Sequence, residues 1–335
     1  MRVAVIGAGA IGALVAGYLK EKNADVSLVA HPDSLRVIKE NGLKISGVRG
    51  NHNIKIEASE RLNFNPDLAI FATKTQDLKA AIEESRDFLK ESMVLTTQNG
   101  MQADYIAAEY LPKEKLASSI VMFGSTALEP GKIVHNFEGS WMIGSVFGIM
   151  PEEDLVKIAV LLEPVAHTLY TTQITGMKYL KVFVNANNCI PAILGTSMQE
   201  AFSDVEISRI AMAIWKEGLG VINSLNIELV SLPDFPLERL TKLASLPLTE
   251  SAKIYSGIMR NLSKEPLYGS ILQSIKRGKS SEIDYINGEF VALAKRNEFT
   301  APLNEKLVEM VHEVENSKKF FSKSELLNRV QGLLN

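Results

Sequence analysis

A lysine and two asparagines inside an apolar segment are the residues that point most directly to chemistry. Lys181, Asn185 and Asn188 stand at positions i, i+4 and i+7 of the run Tyr179–Cys189, so on a helix they share one face. Buried polar groups need partners, and a lysine beside two amides could hold a carboxylate. Desolvation would also lower the lysine pKa toward that of a general acid. The alternative is a polar stripe at a boundary between two helices.

A second polar cluster pairs Ser270 with Glu282, twelve residues later. Glu282 would lie in the first turn of a helix predicted over Glu282–Arg296, with Ser281 as the N-cap and Asp284 at the capping-box position. The helix dipole favours a carboxylate at that place. The pattern alone therefore does not require a catalytic role for Glu282.

A glycine-rich turn near the start of the chain indicates a dinucleotide site. A GxGxxG pattern follows a predicted strand directly and opens a predicted helix; its residues are Gly7, Ala8, Gly9, Ala10, Ile11 and Gly12. The three glycines permit the tight turn, the approach of a pyrophosphate and close packing of helix on strand. This context favours dinucleotide binding over a merely structural turn.

The end of the second predicted strand bears on which dinucleotide binds. NAD sites usually carry an acid there for the ribose 2′-hydroxyl, but this strand ends in Ala30 and His31, with Asp33 following in the loop. His31 and Arg36 could approach a 2′-phosphate. We favour NADP(H), with NAD(H) as the alternative; His31 as a solvated loop residue fits the sequence equally well.

Lys74 and Asn99 each follow the carboxyl end of a predicted strand, where parallel sheets bind ligands. Lys74 could reach ribose or substrate, and Asn99 could orient the nicotinamide or the substrate carbonyl. A solvated lysine and an Asn-Gly turn are the structural alternatives.

The elements that must position these residues divide into two kinds. Up to about residue 170, apolar strands alternate with amphipathic helices, which predicts an α/β domain with a doubly wound, mostly parallel Rossmann sheet. The strands are predicted at Arg2–Ile6, Asp25–Ala30, Asp67–Thr73, Met93–Thr97 and Ser118–Phe123, with antiparallel insertions near residues 44–58 and 130–145. Later residues have helical periodicity, and the helices are predicted at Lys178–Leu194, Asp204–Leu225, Glu282–Arg296 and Leu303–Glu315. We expect a dinucleotide domain over 1–172 and an all-α domain over 173–335.

Composition excludes several classes of function. The 335 residues are 46% hydrophobic and 22% charged, with a formal net charge of -3, so nothing indicates a nucleic-acid or anionic-membrane partner. The scattered histidines and the single Cys189 have no metal-ligand spacing, and no metal is expected. One cysteine and no signal-like start predict a cytoplasmic protein.

Five sequence blocks together resemble the ketopantoate reductase (2-dehydropantoate 2-reductase) family, over about residues 1–315. They are GAGAIG from Gly7, ATKTQD with Lys74, QNGMQ with Asn99, KYLKVFVNANN with Lys181, and SILQSIKRGKSSEIDYING from Ser270. The resemblance implies a Rossmann domain and an all-α C-terminal domain like that of 6-phosphogluconate dehydrogenase. A homodimer is compatible with it.

The resemblance also implies roles for individual residues. Lys181 would be the general acid that protonates the ketone oxygen, and Glu282 would contact that oxygen or the resulting alcohol. Asn185 and Ser270 match positions that bind the substrate, while Lys74 and Asn99 match positions where cofactor and substrate meet. The spacing to the following asparagine selects Lys181 over its neighbour Lys178.

Three departures from the family pattern bear on the substrate and the cofactor. His31 stands where the family commonly has an arginine, and Leu267 replaces a polar residue. Cys189 and Ile190 replace an Asn-Pro pair, although Asn188 could supply an amide one position earlier. The implied activity is reduction of 2-dehydropantoate to pantoate, in the route to pantothenate and coenzyme A. A reductase or opine-type dehydrogenase for another 2-oxo acid and a non-catalytic dinucleotide-binding regulator remain as alternatives.

Overall fold

The computed structural model describes residues 1–263 and 265–334. Within them the chain forms two compact units, Met1–Thr175 and the residues from Gly176 onward. The division falls three residues after the boundary expected from the sequence. Across these described ranges, no helix is long and apolar enough to cross a bilayer.

The first unit alternates strands and helices, as the sequence predicts. In chain order its elements are β1 (Arg2–Ile6), α1 (Ala10–Glu21), β2 (Asp25–Val29), α2 (Pro32–Asn41), β3 (Leu43–Gly47), β4 (His52–Ile54), β5 (Glu57–Ser59), β6 (Leu68–Phe71), α3 (Thr75–Ser85), β7 (Met93–Thr96), α4 (Gln102–Tyr110), β8 (Leu116–Val121), β9 (Gly124–Glu129), β10 (Lys132–Phe137), β11 (Trp141–Gly144), α5 (Glu152–Leu162) and β12 (Thr168–Tyr170). The last predicted strand of the sheet, Ser118–Phe123, begins two residues earlier than expected.

The main sheet has the strand order β12-β11-β8-β7-β6-β1-β2-β5. Six of its strands are mutually parallel, and their order is the 3-2-1-4-5-6 order of a Rossmann fold. β11 pairs antiparallel with β8, and β12 pairs parallel with β11, so these two strands run opposite to the other six. Alternate residues of β1 serve both faces: Val3 and Val5 join the core around α1, while Ala4 and Ile6 join the core around α3 and α4. Burial on both faces explains the continuous apolar strands.

A second sheet of four strands has the order β4-β3-β10-β9. The two predicted insertions meet in it, because β3 pairs antiparallel with β4 and parallel with β10. The hairpin of β9 and β10 turns at Pro130 and Gly131, at the start of the insertion predicted near residues 130–145. The run predicted to continue β4 instead forms β5, which pairs with β2 at the edge of the main sheet.

The second unit is helical. Its helices are α6 (Ile174–Ala186), α7 (Cys189–Leu194), α8 (Met198–Phe202), α9 (Val205–Ser224), α10 (Leu237–Ser245), α11 (Leu248–Arg260), α12 (Ser270–Lys276), α13 (Asn287–Arg296), α14 (Pro302–Ser317) and α15 (Lys323–Val330). The long helix α9 is central and packs against α8, α10, α11, α13 and α14. Asp204 caps α9, since its carboxylate accepts from the N–H groups of Glu206 and Ile207 at 2.8 and 3.3 Å.

Candidate active site

Lys181 lies in the second half of α6. The residue is half-buried, and desolvation of its ammonium lowers the pKa to about 8, although the nearby Asp234 carboxylate acts in the opposite direction. An ammonium with this pKa keeps its proton at neutral pH and releases it more readily than a solvated lysine. Lys181 is therefore suited to be a proton donor.

The face of α6 opposite Lys181 is anchored in the helical core. Phe183, two residues on and so about 200° around the helix, packs its ring 4.8 Å from that of Phe290. The carbonyl oxygen of Phe183 accepts a hydrogen bond of 2.9 Å from Nε1 of Trp215. After the helix, Nδ2 of Asn187 donates to the buried Tyr255 hydroxyl at 3.0 Å. These contacts fix the rotation of the helix that carries Lys181 and Asn185.

The predicted helix Lys178–Leu194 is interrupted, which corrects the single helical stripe of Lys181, Asn185 and Asn188. α6 ends at Ala186, and Asn188 is the N-cap residue of α7. The physical reason is Pro191, which has no N–H to donate to the carbonyl four residues earlier and clashes with it in a continuous helix. Asn188 thus belongs to the turn between two helices.

The turn brings Asn188 next to Gly269, the residue before Ser270. Ser270 is the first residue of α12, and its neighbour Gly269 is the N-cap. A methyl group at position 269 would lie 3.0 Å from both Cβ and Cγ of Asn188. Asn188 and the backbone just before Ser270 therefore lie close together, although these two residues predicted to bind the substrate are 82 positions apart in the chain.

Gln199 holds the loop that leads to Ser270, a role that sequence reasoning missed. Its Nε2 donates to the carbonyl oxygens of Ser263 at 3.2 Å and Glu265 at 2.8 Å, and its Oε1 accepts from the N–H of Leu267 at 3.0 Å. Leu267 is thus fixed through its backbone. A single glutamine on a short helix leaves no periodic signal for this contact.

Glu282 lies in a turn, which corrects its predicted place in the first turn of an α-helix. It immediately precedes a 3-10 turn over Ile283–Tyr285, and α13 begins only at Asn287. Ser281 and Asp284 do not form the predicted capping box, because Glu282 is the N-cap of the 3-10 turn and Ile286 that of α13; the Oγ of Ser281 accepts locally from the N–H of Ile283 at 3.3 Å. The dipole of a long helix therefore does not explain the carboxylate at position 282.

Two further residues near Lys181 in the chain are buried, Lys178 and Cys189. Lys178, set aside in favour of Lys181, is only 2% exposed and so is more deeply buried than Lys181. Cys189 is fully buried, and burial raises the pKa of its thiol far above the usual range. A thiol in this state is inert as a nucleophile.

The glycine-rich turn fits the pyrophosphate of a dinucleotide. Gly7 has φ +112°, and a methyl group on it would lie 2.8 Å from the backbone of Ala72 and Thr73. A methyl group at Gly9, the N-cap of α1, would meet no heavy atom within 4 Å. No side chain caps α1 and its first turn carries no acid. The turn thus combines open space with a positive helix end that no side chain of the first turn neutralises.

The end of β2 carries charges of both signs. His31 is the N-cap of α2, its side chain is 79% exposed, and its Nδ1 lies 3.8 Å from Oδ2 of Asp33. Arg36 is exposed on the same helix. The site thus offers a carboxylate that suits a ribose hydroxyl as well as cations that suit a phosphate.

A buried glutamine ties together the strand ends that precede Lys74 and Asn99. Nε2 of Gln98 donates to the carbonyl oxygens of Phe71 at 3.0 Å and Thr73 at 2.9 Å, and Gln98 is 4% exposed. Lys74 follows as the N-cap of α3, and Asn99 follows Gln98 directly. Their backbones are therefore fixed relative to each other at the carboxyl edge of the sheet.

No group of three potential metal ligands occurs among the residues that the structure describes.

Comparison with known proteins agrees with this architecture. The model of the family described as ketopantoate reductase PanE/ApbA matches residues 3–147, and the model of its C-terminal part matches residues 173–315. The 2-dehydropantoate 2-reductase of Pyrococcus abyssi is 31% identical over 307 residues, which are 91% of this chain and 94% of that protein.

Two solved structures are similar in fold. A ternary structure of D-mandelate dehydrogenase with NADH and anilino(oxo)acetate has a TM-score of 0.81 at 23% identity and covers 95% of this chain and 99% of its own. A PanE/ApbA family ketopantoate reductase from Ralstonia eutropha JMP134 has a TM-score of 0.79 at 22% identity, with the same coverage of 95% and 99%. Because two family models match most of the sequence, with one falling in each structural unit, the chain belongs to the ketopantoate reductase PanE/ApbA family.

Proposed function

We propose that the protein reduces 2-dehydropantoate to pantoate with a nicotinamide dinucleotide, NADPH in preference to NADH, in the route to pantothenate and coenzyme A. The observation that carries the proposal is the desolvated Lys181, an acid with a pKa of about 8, in a chain of this family that also has an open glycine-rich turn. When bound, the reduced cofactor supplies the hydride.

The residues of the chain divide the remaining work. Lys181 donates the proton from Nζ to the carbonyl oxygen as the carbonyl carbon accepts the hydride, so the products are an alcohol and a neutral amine. Asn185, Asn188 and Ser270 bind the carboxylate and hydroxyl groups of the substrate. Glu282 contacts the reacting oxygen and orients it.

On the cofactor side, the N–H groups after Gly9 hold the pyrophosphate. Lys74 and Asn99, on strand ends joined through Gln98, bind where cofactor and substrate meet. His31 and Arg36 supply the charge for a 2′-phosphate.

The proposed activity is tested by initial rates at 340 nm with 2-dehydropantoate and with a panel of other 2-oxo acids, with and without amines. We expect 2-dehydropantoate to have the highest kcat/KM. The buried Cys189 in place of a family amide favours a different 2-oxo acid as the second candidate, so a higher kcat/KM for a panel member would contradict the proposal. Cofactor binding without turnover of any substrate would support the regulator instead.

In this proposal, preference for NADPH depends on the exposed His31 at the end of β2. His31→Ala is expected to raise the KM for NADPH about two- to fivefold, the size of an exposed charge interaction, and to leave the KM for NADH unchanged. Asp33→Asn is the matched control of opposite sign, because removing the carboxylate 3.8 Å from the ring should lower the KM for NADPH. A wild type with a higher kcat/KM for NADH would contradict the assignment.

Replacing the proposed acid should separate activity from stability. Lys181→Met is expected to lower kcat by about 10²–10⁴ and to leave cofactor affinity unchanged. It should also stabilise the fold at pH 7 by up to about 3 kcal/mol, because a pKa lowered from 10.5 to about 8 measures the cost of keeping the ammonium in the fold.

The direction in which stability changes with pH follows from proton binding. Between about pH 8 and 10.5 the unfolded chain holds the proton and the fold does not, so the penalty is complete below pH 8 and disappears as the pH rises through this window. Urea denaturation at pH 7 and pH 9.5 measures the difference. The control is Lys253→Met, since that lysine is exposed on α11. Activity of Lys181→Met within a few-fold of wild type would refute the role.

The contact between Asn188 and Gly269 can be tested through the substrate. Gly269→Ala places a methyl group 3.0 Å from the Asn188 side chain, which must move by a few tenths of an ångström. We expect the KM for 2-dehydropantoate to rise about tenfold, while the KM for the cofactor stays unchanged. Gly257→Ala is the control, because nothing lies within 4 Å of its added carbon. Equal KM values for 2-dehydropantoate in both variants would show that Asn188 does not bind the substrate.

A further inference from the structure

His312 lies between two carboxylates, one of which belongs to the segment that carries Glu282. Nε2 of His312 is 3.0 Å from Oδ1 of Asp284, and Nδ1 is 3.0 Å from Oε2 of Glu315. The other carboxylate oxygen of Glu315 accepts a hydrogen bond of 2.6 Å from the N–H of Ser281. The residues on both sides of Glu282 are thus linked through one imidazole ring.

The whole segment from Ser281 to Asn287 is attached to α14 at three points. Ser281 is bound by Glu315 and Asp284 by His312, as described above. Asn287, which is fully buried, donates from Nδ2 to Oδ1 of Asn304 at 2.9 Å. The attachments are spaced evenly along the segment, so Glu282 lies between two of them.

Helix α14 is itself held firmly at its start. Glu217 on α9 accepts from the N–H groups of Leu303 and Asn304 at 2.9 and 3.1 Å, which satisfies donors that the first helical turn leaves open. The attachments at Ser281 and Asp284 are therefore made to a fixed helix.

The ring of His312 satisfies both carboxylates only when it carries a proton on each nitrogen, because a carboxylate accepts and does not donate. The charged groups acting on the ring are Asp284 from the 3-10 turn and Glu315 from α14. Burial works to lower the pKa of His312, but the hydrogen bonds to these carboxylates outweigh it and raise the pKa above its usual value. The ring is 40% exposed, so it can exchange its proton with solvent.

We propose that His312, as an imidazolium, is a positioning residue that holds Glu282 in place for the substrate. This role of His312 rests on the proposed function, because it assumes that Glu282 contacts the substrate. Loss of the ring proton leaves one nitrogen lone pair facing a carboxylate, and the attachment at Asp284 or Glu315 weakens. The KM for 2-dehydropantoate then rises with pH as His312 loses its proton, while kcat follows Lys181.

The test compares His312→Gln with wild type at saturating NADPH between pH 5.5 and 9. A glutamine can donate to only one carboxylate, so we expect the KM for 2-dehydropantoate to rise about tenfold at low pH and to lose its dependence on pH. The values of kcat and of the KM for NADPH should stay within about twofold. His167→Gln is the matched control, since His167 also lies 3.0 Å from a glutamate, Glu163, but in the other unit.

A second variant keeps the inference testable if His312→Gln folds poorly. Asp284→Asn retains an oxygen that accepts from the ring but removes one charge at an exposed position, so the fold should be preserved. The pH at which KM rises should shift downward, together with the His312 pKa measured by NMR. A merely structural contact would not move these two values in step.

The outcomes separate the two proposals. A wild type that does not reduce 2-dehydropantoate refutes the proposed function. A wild type that does, with the same KM profile in His312→Gln and Asp284→Asn, overturns the role of His312, as does a fall in kcat without a change in KM.

Discussion

The free-energy cost of taking the Lys181 ammonium out of water is the constraint on which the site depends. Desolvation lowers its pKa to about 8, and Asp234 only partly opposes this. A helix free to rotate would return the charge to solvent and restore an ordinary lysine. The core contacts of Phe183 and the hydrogen bond from Trp215 prevent this rotation. The packing of α6 against the helical core thus offsets the free-energy cost of desolvating the Lys181 ammonium.

Neutral and charged polar groups have different tasks in the helical unit. Asn187, Tyr255, Asn287 and Asn304 pair with one another inside the core as uncharged groups, at little electrostatic cost. The carboxylates of Glu217 and Glu315 instead accept hydrogen bonds from backbone N–H groups of other segments. Lys181, the lysine proposed to react, departs from this pattern, because desolvation dominates the shift of its pKa.

Much of the fold could be predicted because it depends on periodicity. The parallel strands, the glycine-rich turn and the long helices α9 and α14 follow from patterns a few residues long. The break in the helix after Lys181 depends on Pro191, whose effect competes with a strong apolar pattern. The 3-10 turn at Glu282 and the pairing of β5 with β2 depend on contacts distant in sequence, which no local pattern encodes.

The candidate site, like the fold, has residues that the sequence predicts and residues that it does not. Residue types and spacing pointed to Lys181, Asn188 and Ser270, and the structure adds that Asn188 lies against Gly269, the residue before Ser270. Gln98 and Gln199 could not be found from the sequence, because each acts by hydrogen-bonding to backbone groups of other segments. Such residues hold loops in place and carry no periodic signature.

The most direct test of the account is the pH dependence of kcat for 2-dehydropantoate reduction at saturating substrate and NADPH. If Lys181 is the proton donor, log kcat is level near neutral pH and falls with a slope of about −1 above pH 8, in line with its lowered pKa. A kcat that stays level to pH 10 would contradict a desolvated lysine as the acid of this reaction.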